Sequence, residues 1–92
     1  MKKKFPDSLN TAIFTTKYIL NNSPILFVYH YEEDGAWEFL GKENQNDEDY
    51  RVISLEEIIN IDTTILDVSS MKMGYYAERK SKESEWIINE IL

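Results

Sequence analysis

The sequence contains no cysteine and a single histidine, His30. Without cysteine the chain can form neither a disulfide nor a thiolate metal site, and it suits a reducing compartment, so we expect a cytoplasmic protein. One histidine supplies too few nitrogen ligands for a zinc centre and has no visible second group for acid–base catalysis. We therefore expect no metal, no cofactor and no catalytic residue.

Long hydrophobic runs are also missing. Met1 is followed by three lysines, as at the start of a signal peptide, but Pro6 and Asp7 interrupt the next stretch and Lys17 breaks the one after it. We predict neither a signal peptide nor a membrane-spanning segment.

Basic residues are scarce relative to acidic ones. Ten Lys and Arg residues stand against 17 Asp and Glu residues, which gives a net charge of −7. The segment 31–57 holds ten of the acidic residues and only Lys42 and Arg51 as bases. A negative electrostatic field repels the phosphate backbone of nucleic acids and attracts basic protein surfaces, so we expect a protein partner and no nucleic acid. Solubility alone is the alternative explanation of this charge.

The composition is that of a folded protein, with 42% apolar and 13% aromatic residues in 92 positions. We predict a single domain over 1–92, with an irregular start over 1–10 and an acidic surface loop over 42–50. A chain of this length buries only about 60–65% of its unfolded surface, so a dimer would add stability. Both a monomer and a homodimer remain open.

The strongest local signal is Asp34-Gly35 between two aromatic-rich runs, which predicts a β-hairpin over 25–41 with a type I′ turn. A two-residue loop sets His30 opposite Phe39, whereas a four-residue loop sets it opposite Trp37. Both registers give the same two faces, because opposed residues share a face. One face carries Leu26, Val28, His30, Trp37 and Phe39, and the other carries Ile25, Phe27, Tyr29, Tyr31, Glu38 and Leu40.

Shorter signals surround the hairpin. The further predicted elements are a β run over 11–15, a short helix over 15–21 capped by Thr15 or Thr16, a strand over 51–53, a helix over 54–60 with a Ser54/Glu57 capping box, a turn over 63–66 capped by Asp62, and a strand over 73–80. The stretch 85–92 fits either a strand or a helical stripe, and we favour a strand paired with 73–80. Arg79 is expected to be partly buried and paired with a carboxylate. The predicted fold is α+β, with a mostly antiparallel sheet of four to five strands and two or three short helices mainly on one face.

The order of these segments resembles a family of small bacterial proteins catalogued as a domain of unknown function, part of which is placed among the immunity proteins of polymorphic toxin systems. The resemblance covers about residues 11–86. Its matching positions are His30, Asp34, Gly35, Trp37, Phe39, Leu55, Ile58, Asp62, Gly74, Ala77 and Arg79. The chain departs from the pattern at Thr63, where the family usually has proline, and at Lys72-Met73, where it usually has Leu-Pro. The resemblance implies a fold and a bacterial origin, but no established reaction.

These observations favour a small acidic binding protein without catalytic activity, in a narrower version an immunity-type inhibitor of a basic toxin domain. The residues expected at its recognition surface are His30, Tyr31, Glu32, Glu33, Asp34, Trp37, Glu38 and Arg79. The alternative is a ligand-binding module or small enzyme that uses a pocket containing His30 and Arg79. In that alternative His30 acts as a base or ligand contact, and otherwise it is a structural residue at the edge of the core.

Overall fold

The computed structural model describes residues 3–92. Its six strands are Ala12–Thr16 (β1), Phe27–His30 (β2), Trp37–Leu40 (β3), Tyr50–Ser54 (β4), Tyr75–Glu78 (β5) and Ile87–Glu90 (β6). Two α-helices, Lys17–Leu20 (α1) and Leu55–Ile61 (α2), and two 3-10 helices, Asp47–Asp49 and Thr63–Val68, complete the elements. Residues 3–10 contain no helix or strand, and the first two residues of the predicted irregular start lie outside the described residues.

The six strands form one sheet in the order β4-β1-β3-β2-β5-β6. Only β1 and β3 run parallel, and every other neighbouring pair is antiparallel. The α+β class and the mostly antiparallel sheet are confirmed, but the predicted count of four to five strands is wrong. The two edge strands, β4 and β6, come from the two weakest strand signals, because each is exposed or half-buried throughout and carries polar residues such as Arg51 and Glu90.

The hairpin of β2 and β3 lies at the centre of the sheet and uses the four-residue loop, so that His30 pairs with Trp37. The type I′ turn is wrong, because Gly35 has a φ of +72° while Asp34 has no positive φ. Instead, the Gly35 N–H donates to Tyr31 O, and the Ala36 N–H donates to Asp34 Oδ1 at 3.0 Å. The aspartate side chain therefore closes the loop itself, which removes the need for a second left-handed residue.

One face of the sheet packs against the helices and forms the core. The alternation predicted for the hairpin is confirmed where the strands are regular, with Val28, Trp37 and Phe39 fully buried on this face. The core also contains Ile13, Ala77, Leu55, Ile58, Ile65 and Val68 from the flanking strands, α2 and the second 3-10 helix. Ile25, which we assigned to the opposite face, also joins this core, because it precedes β2 and strand alternation does not apply to it.

Side-chain caps fix where the helices begin. Ser54, the residue before α2, forms the predicted capping box with Glu57. The Glu57 N–H donates to Ser54 Oγ at 3.1 Å, and the Ser54 N–H donates to Glu57 Oε1 at 3.0 Å. Thr16 caps α1, and Asp62 accepts from the Thr64 N–H at 2.9 Å at the start of the second 3-10 helix. Helices this short depend on packing for their stability, and here the caps aim their apolar residues at the sheet.

The segment 85–92 contains a strand, as we favoured, because β6 pairs antiparallel with β5. No helix within residues 3–92 has the length and apolar character needed to cross a membrane.

Candidate functional site

The hairpin divides the residues predicted to form the recognition surface. His30 and Trp37 point into the core face, whereas Tyr31 and Glu38 meet on the opposite face. Glu32, Glu33 and Asp34 form the exposed part of the loop that joins β2 and β3. Arg79 is buried just beyond the end of β5. The eight residues therefore do not form one site.

His30 has a structural environment. Its side chain is 8% exposed, and its Nδ1–H donates to the Met71 carbonyl at 2.8 Å. The imidazole stacks on the Trp37 indole with ring centroids 3.7 Å apart and a 13° interplanar angle. Because a carbonyl only accepts, this bond places the proton of the neutral ring on Nδ1. His30 thus ties the chain after the second 3-10 helix to the centre of the sheet.

Trp37 holds the first described residues against the core. Its Nε1–H donates to Asp7 at 3.2 Å, and Phe5 meets the indole edge-on with centroids 4.8 Å apart. Edge-to-face pairing of this kind is a favourable aromatic geometry. Trp37 is therefore occupied from both sides and has no exposed surface for a partner.

Arg79 forms the predicted pair with a carboxylate, and it is buried more completely than we expected. Only 6% of the residue is exposed, and its Nη2 lies 2.9 Å from Asp62 Oδ2. Its Nε donates to Ile25 O, and its Nη1 donates to both Thr64 Oγ1 and the Lys82 carbonyl. The guanidinium also lies 4.0 Å from the ring centre of Trp86. Since four of its five N–H groups are used internally, Arg79 has little capacity left for a ligand.

His30 and Arg79 lie on one side of the sheet but at opposite ends of the β2–β5 ladder. His30 pairs with Tyr75, whereas the Arg79 N–H bonds to Leu26 O. Four residues of extended chain separate the two positions, which corresponds to about 13 Å. The cavity that Arg79 lines is formed with Glu78, Lys80 and Ile87 and does not include His30. The geometry does not bring them together in a pocket.

The opposite face of the sheet, called the open face below, carries half-exposed aromatic and acidic side chains. Tyr31, Tyr29 and Tyr76 form a row of stacked rings with centroid distances of 5.7 and 5.2 Å and interplanar angles of 8° and 15°. This group is the tyrosine row. Strand register places Glu38 between Tyr29 and the 41% exposed ring of Phe14.

The hydroxyl groups of Tyr29 and Tyr31 stay protonated well above neutral pH, because the pKa of each is raised. Tyr31 donates its O–H to Glu38 Oε1 at 2.5 Å. Partial burial, followed by this bond to Glu38, raises the pKa of Tyr31 far above its ordinary value. Partial burial also raises the pKa of Tyr29, with added repulsion from Tyr76 and Glu38. Tyr29 and Tyr31 therefore present neutral side chains beside the Glu38 carboxylate, which accepts the Tyr31 O–H.

A groove of about 380 Å³ runs along the open face beside Tyr29. Its floor is Phe27, Tyr29 and Leu40, and its wall is the segment 41–45. Gly41 packs tightly here, because a Cβ atom would lie 3.0 Å from the Pro24 carbonyl oxygen and 2.7 Å from Glu43 Oε1. Glu43 Oε2 accepts from Ser23 at 2.7 Å, but Glu43 Oε1 is buried and has no hydrogen-bond partner within residues 3–92.

The strand positions of the open face carry one sign of charge. They include Glu38 and Glu78 but no lysine or arginine. Lys42 is the one base that lines the groove. The surface formed by the tyrosine row, the groove and these glutamates is the candidate functional site, and it suits a basic ligand.

The acidic segment next to the groove is held by its own contacts. Asp49 is 2% exposed and accepts from the Asn46 N–H at 2.8 Å, from Lys17 at 3.1 Å and from Tyr18 at 3.2 Å. The backbone N–H of Asn46, together with Lys17, holds the pKa of Asp49 below its ordinary value. Half of the predicted surface loop is thus anchored to α1.

Sequence reasoning identified Tyr31 and Glu38 but missed Tyr29, Tyr76 and Glu43. The spacing of Tyr29 and Tyr31 placed them on one face, and this was the available signal for a tyrosine row. Tyr76 joins the row only through the pairing of β2 with β5, which 46 intervening positions of sequence do not reveal.

Within residues 3–92, no group of three or more histidine, cysteine, aspartate and glutamate side chains is arranged to hold a metal ion. No protein-family model, curated protein or solved structure matches the chain.

Proposed function

We propose that this chain is a binding protein without catalytic activity, which recognises a basic protein partner through its open face. The observation that carries the proposal is the tyrosine row flanked by Glu38 and Glu78 on strand positions that contain no basic residue. Tyrosine supplies large, rigid contact area at low cost in side-chain entropy, and it is enriched at protein interfaces.

Electrostatics support a basic partner in two ways. The net charge of −7 speeds the encounter with a positive surface at low salt. At short range, the Glu38 carboxylate beside the tyrosine row offers an acceptor for lysine or arginine. The narrower form of the proposal is an immunity-type inhibitor of a basic toxin domain, which rests on the family resemblance together with this charge.

Binding is tested by titrating the ¹⁵N-labelled protein with two synthetic peptides of equal length, one rich in lysine and arginine and one with glutamate at the same positions. We expect amide shift changes at Tyr29, Glu38 and Tyr76 with the basic peptide alone, and weaker binding at higher salt. The same changes with both peptides, or none with either, would contradict the proposal.

A matched pair of variants separates a site effect from a general charge effect. Glu38→Gln removes a charge from the open face, whereas Glu56→Gln removes one from the exposed side of α2, across the sheet. We expect Glu38→Gln to weaken basic-peptide binding by about 3–10-fold and Glu56→Gln by less than about twofold. Equal losses would indicate non-specific attraction.

A further inference from the structure

The two edges of the sheet differ in how many backbone groups they leave unpaired. At the β4 edge, the Leu55 N–H donates to Thr11 O, so alternate residues bond to β1 and the others point outward. The outward residues are Tyr50, Val52 and Ser54. The edge therefore has three positions at which another strand could pair.

Local contacts close two of these three positions. The Tyr50 N–H donates to Asp47 O, and the Tyr50 carbonyl accepts from Arg51 Nη1 at 2.8 Å. The Ser54 N–H donates to Glu57 in the capping box. Val52 alone retains a free N–H and a free carbonyl among the outward residues of β4. Closing an edge in this way protects a sheet against unwanted pairing.

The β6 edge is open along its length. The Ile91 N–H donates to Gly74 O at 2.8 Å, so by alternation Ile87 and Asn89 bond to β5, while Ile88 and Glu90 direct their backbone groups outward. In the part of the chain that the structure describes, no other segment bonds to these outward groups. A strand could therefore add to β6 without displacing any contact.

A cavity flanks this edge on each face of the sheet. One of about 300 Å³ on the core side is lined by Met71, Tyr75 and Ile88, together with Ser70 and Lys72. The other, of about 290 Å³, is lined by Glu78 and Ile87 from the open face, together with Arg79, Lys80, Ser84 and Glu85. Ile87 and Ile88 are 59% and 50% exposed. Successive side chains of an added strand point to opposite faces, so they would enter the two cavities alternately.

Charge favours a basic partner strand over a second copy of this chain at the β6 edge. β6 carries Glu90 and follows Glu85, while Lys72 and Lys80 line the flanking cavities. A second copy would add another net charge of −7 to the two carboxylates. A basic strand would instead place lysine or arginine beside them. The edge is also continuous with the open face, because Tyr76 of the tyrosine row pairs with Asn89 of β6.

We propose that the β6 edge accepts an extended segment of the basic partner as a seventh strand, with alternate side chains in the two flanking cavities. This inference rests on the proposed function for the partner's charge, and it adds the mode of recognition. Main-chain hydrogen bonds to Ile88 and Glu90 supply affinity, and the cavities supply side-chain selection.

The probe is a capped synthetic peptide with alternating valine and threonine and a lysine at each end. Amide hydrogen exchange is followed by NMR with and without saturating peptide. We expect exchange at Ile88 and Glu90 to slow at least about tenfold, because their outward N–H groups become hydrogen-bonded. A peptide of the same sequence with alternate backbone nitrogens methylated is expected not to give this protection.

Two proline variants provide the matched control. Ile88→Pro removes an outward N–H from β6, and Val52→Pro removes the corresponding free N–H from the β4 edge; both leave the internal ladders intact. We expect Ile88→Pro to weaken peptide binding by about tenfold and Val52→Pro to leave it unchanged. Equal binding by Ile88→Pro and wild type would overturn strand addition.

The readouts separate the two proposals. Shift changes at Tyr29 and Glu38 without protection at Ile88 would overturn strand addition and leave open-face recognition standing. No response anywhere to basic peptides would contradict the proposed function. Protection at Ile88 that appears without peptide as protein concentration rises, with a dimer mass in sedimentation, would make a second copy the occupant and overturn the choice of a partner strand.

Discussion

The two faces of the sheet use polar side chains in opposite ways. On the core face, Thr15, His30 and Arg79 are each buried and bonded within the chain, to Phe39 O, Met71 O and Asp62 respectively. On the open face, the stacked rings of the tyrosine row stay partly exposed. The contrast indicates that polar groups on the core face contribute to folding, whereas the rings on the open face keep contact area that the fold does not use.

The strongest test of this contrast is Arg79→Met. The variant leaves Asp62 buried without its charged partner, so we expect a loss of about 3–5 kcal/mol in the free energy of unfolding, measured by urea denaturation. The neighbouring Lys80→Met changes an exposed lysine and is expected to cost less than about 0.5 kcal/mol. Normal stability together with lost peptide binding in Arg79→Met would place Arg79 in the binding site and break the contrast.

His30 and Tyr31 provide a comparison of adjacent residues on opposite faces. His30→Phe retains a ring against Trp37 but leaves the Met71 carbonyl without its donor, and we expect a loss of about 1–3 kcal/mol. Tyr31→Phe removes one hydroxyl from the open face and is expected to cost less than about 1 kcal/mol.

Peptide titration completes this comparison. We expect basic-peptide binding to be unchanged in His30→Phe and weakened in Tyr31→Phe, because only the second residue lies in the tyrosine row. Weaker peptide binding by His30→Phe together with unchanged binding by Tyr31→Phe would show that His30 belongs to the recognition surface, as the sequence predicted.

The sequence could predict which residues share a face, but not which face the helices cover. Alternation correctly grouped His30 with Trp37 and Tyr31 with Glu38, because a β-strand has a fixed period of two. Both groups contain aromatic residues, so hydrophobicity did not distinguish core from surface. Which strands lie side by side depends on long-range pairing, and the pairing of β2 with β5 creates the Tyr29–Tyr76 contact. The Arg79–Asp62 pair likewise depends on how the chain between α2 and the second 3-10 helix packs against the end of β5.

A smaller effect is expected for Tyr76→Ala. Tyr76 is half-buried and stacks on Tyr29 alone among the aromatic contacts described, so we expect a stability loss of about 0.5–1.5 kcal/mol by urea denaturation. Basic-peptide binding should fall more sharply than stability does. A large stability loss with unchanged binding would mean that the tyrosine row contributes to folding, as the core-face residues do.

The smallest effect concerns Asp49, which lies in the acidic sequence but behaves like a core-face residue. Its ionised form accepts from Asn46 and Lys17, so its pKa in the folded chain lies below the ordinary value of 3.8. A lowered pKa means that this carboxylate stabilises the fold above pH 3.8, and that the contribution is lost as the pH falls through the lowered pKa.

Asp49→Asn removes the charge, so its stability deficit relative to wild type should be constant near neutral pH and should shrink below that range. Urea denaturation between about pH 7 and pH 2.5 measures the deficit, and exposed Asp47→Asn serves as the control from the same segment. A deficit that did not change with pH would show that Asp49 acts only through its shape, and the acidic segment would then owe its order to packing rather than to the ion pair with α1.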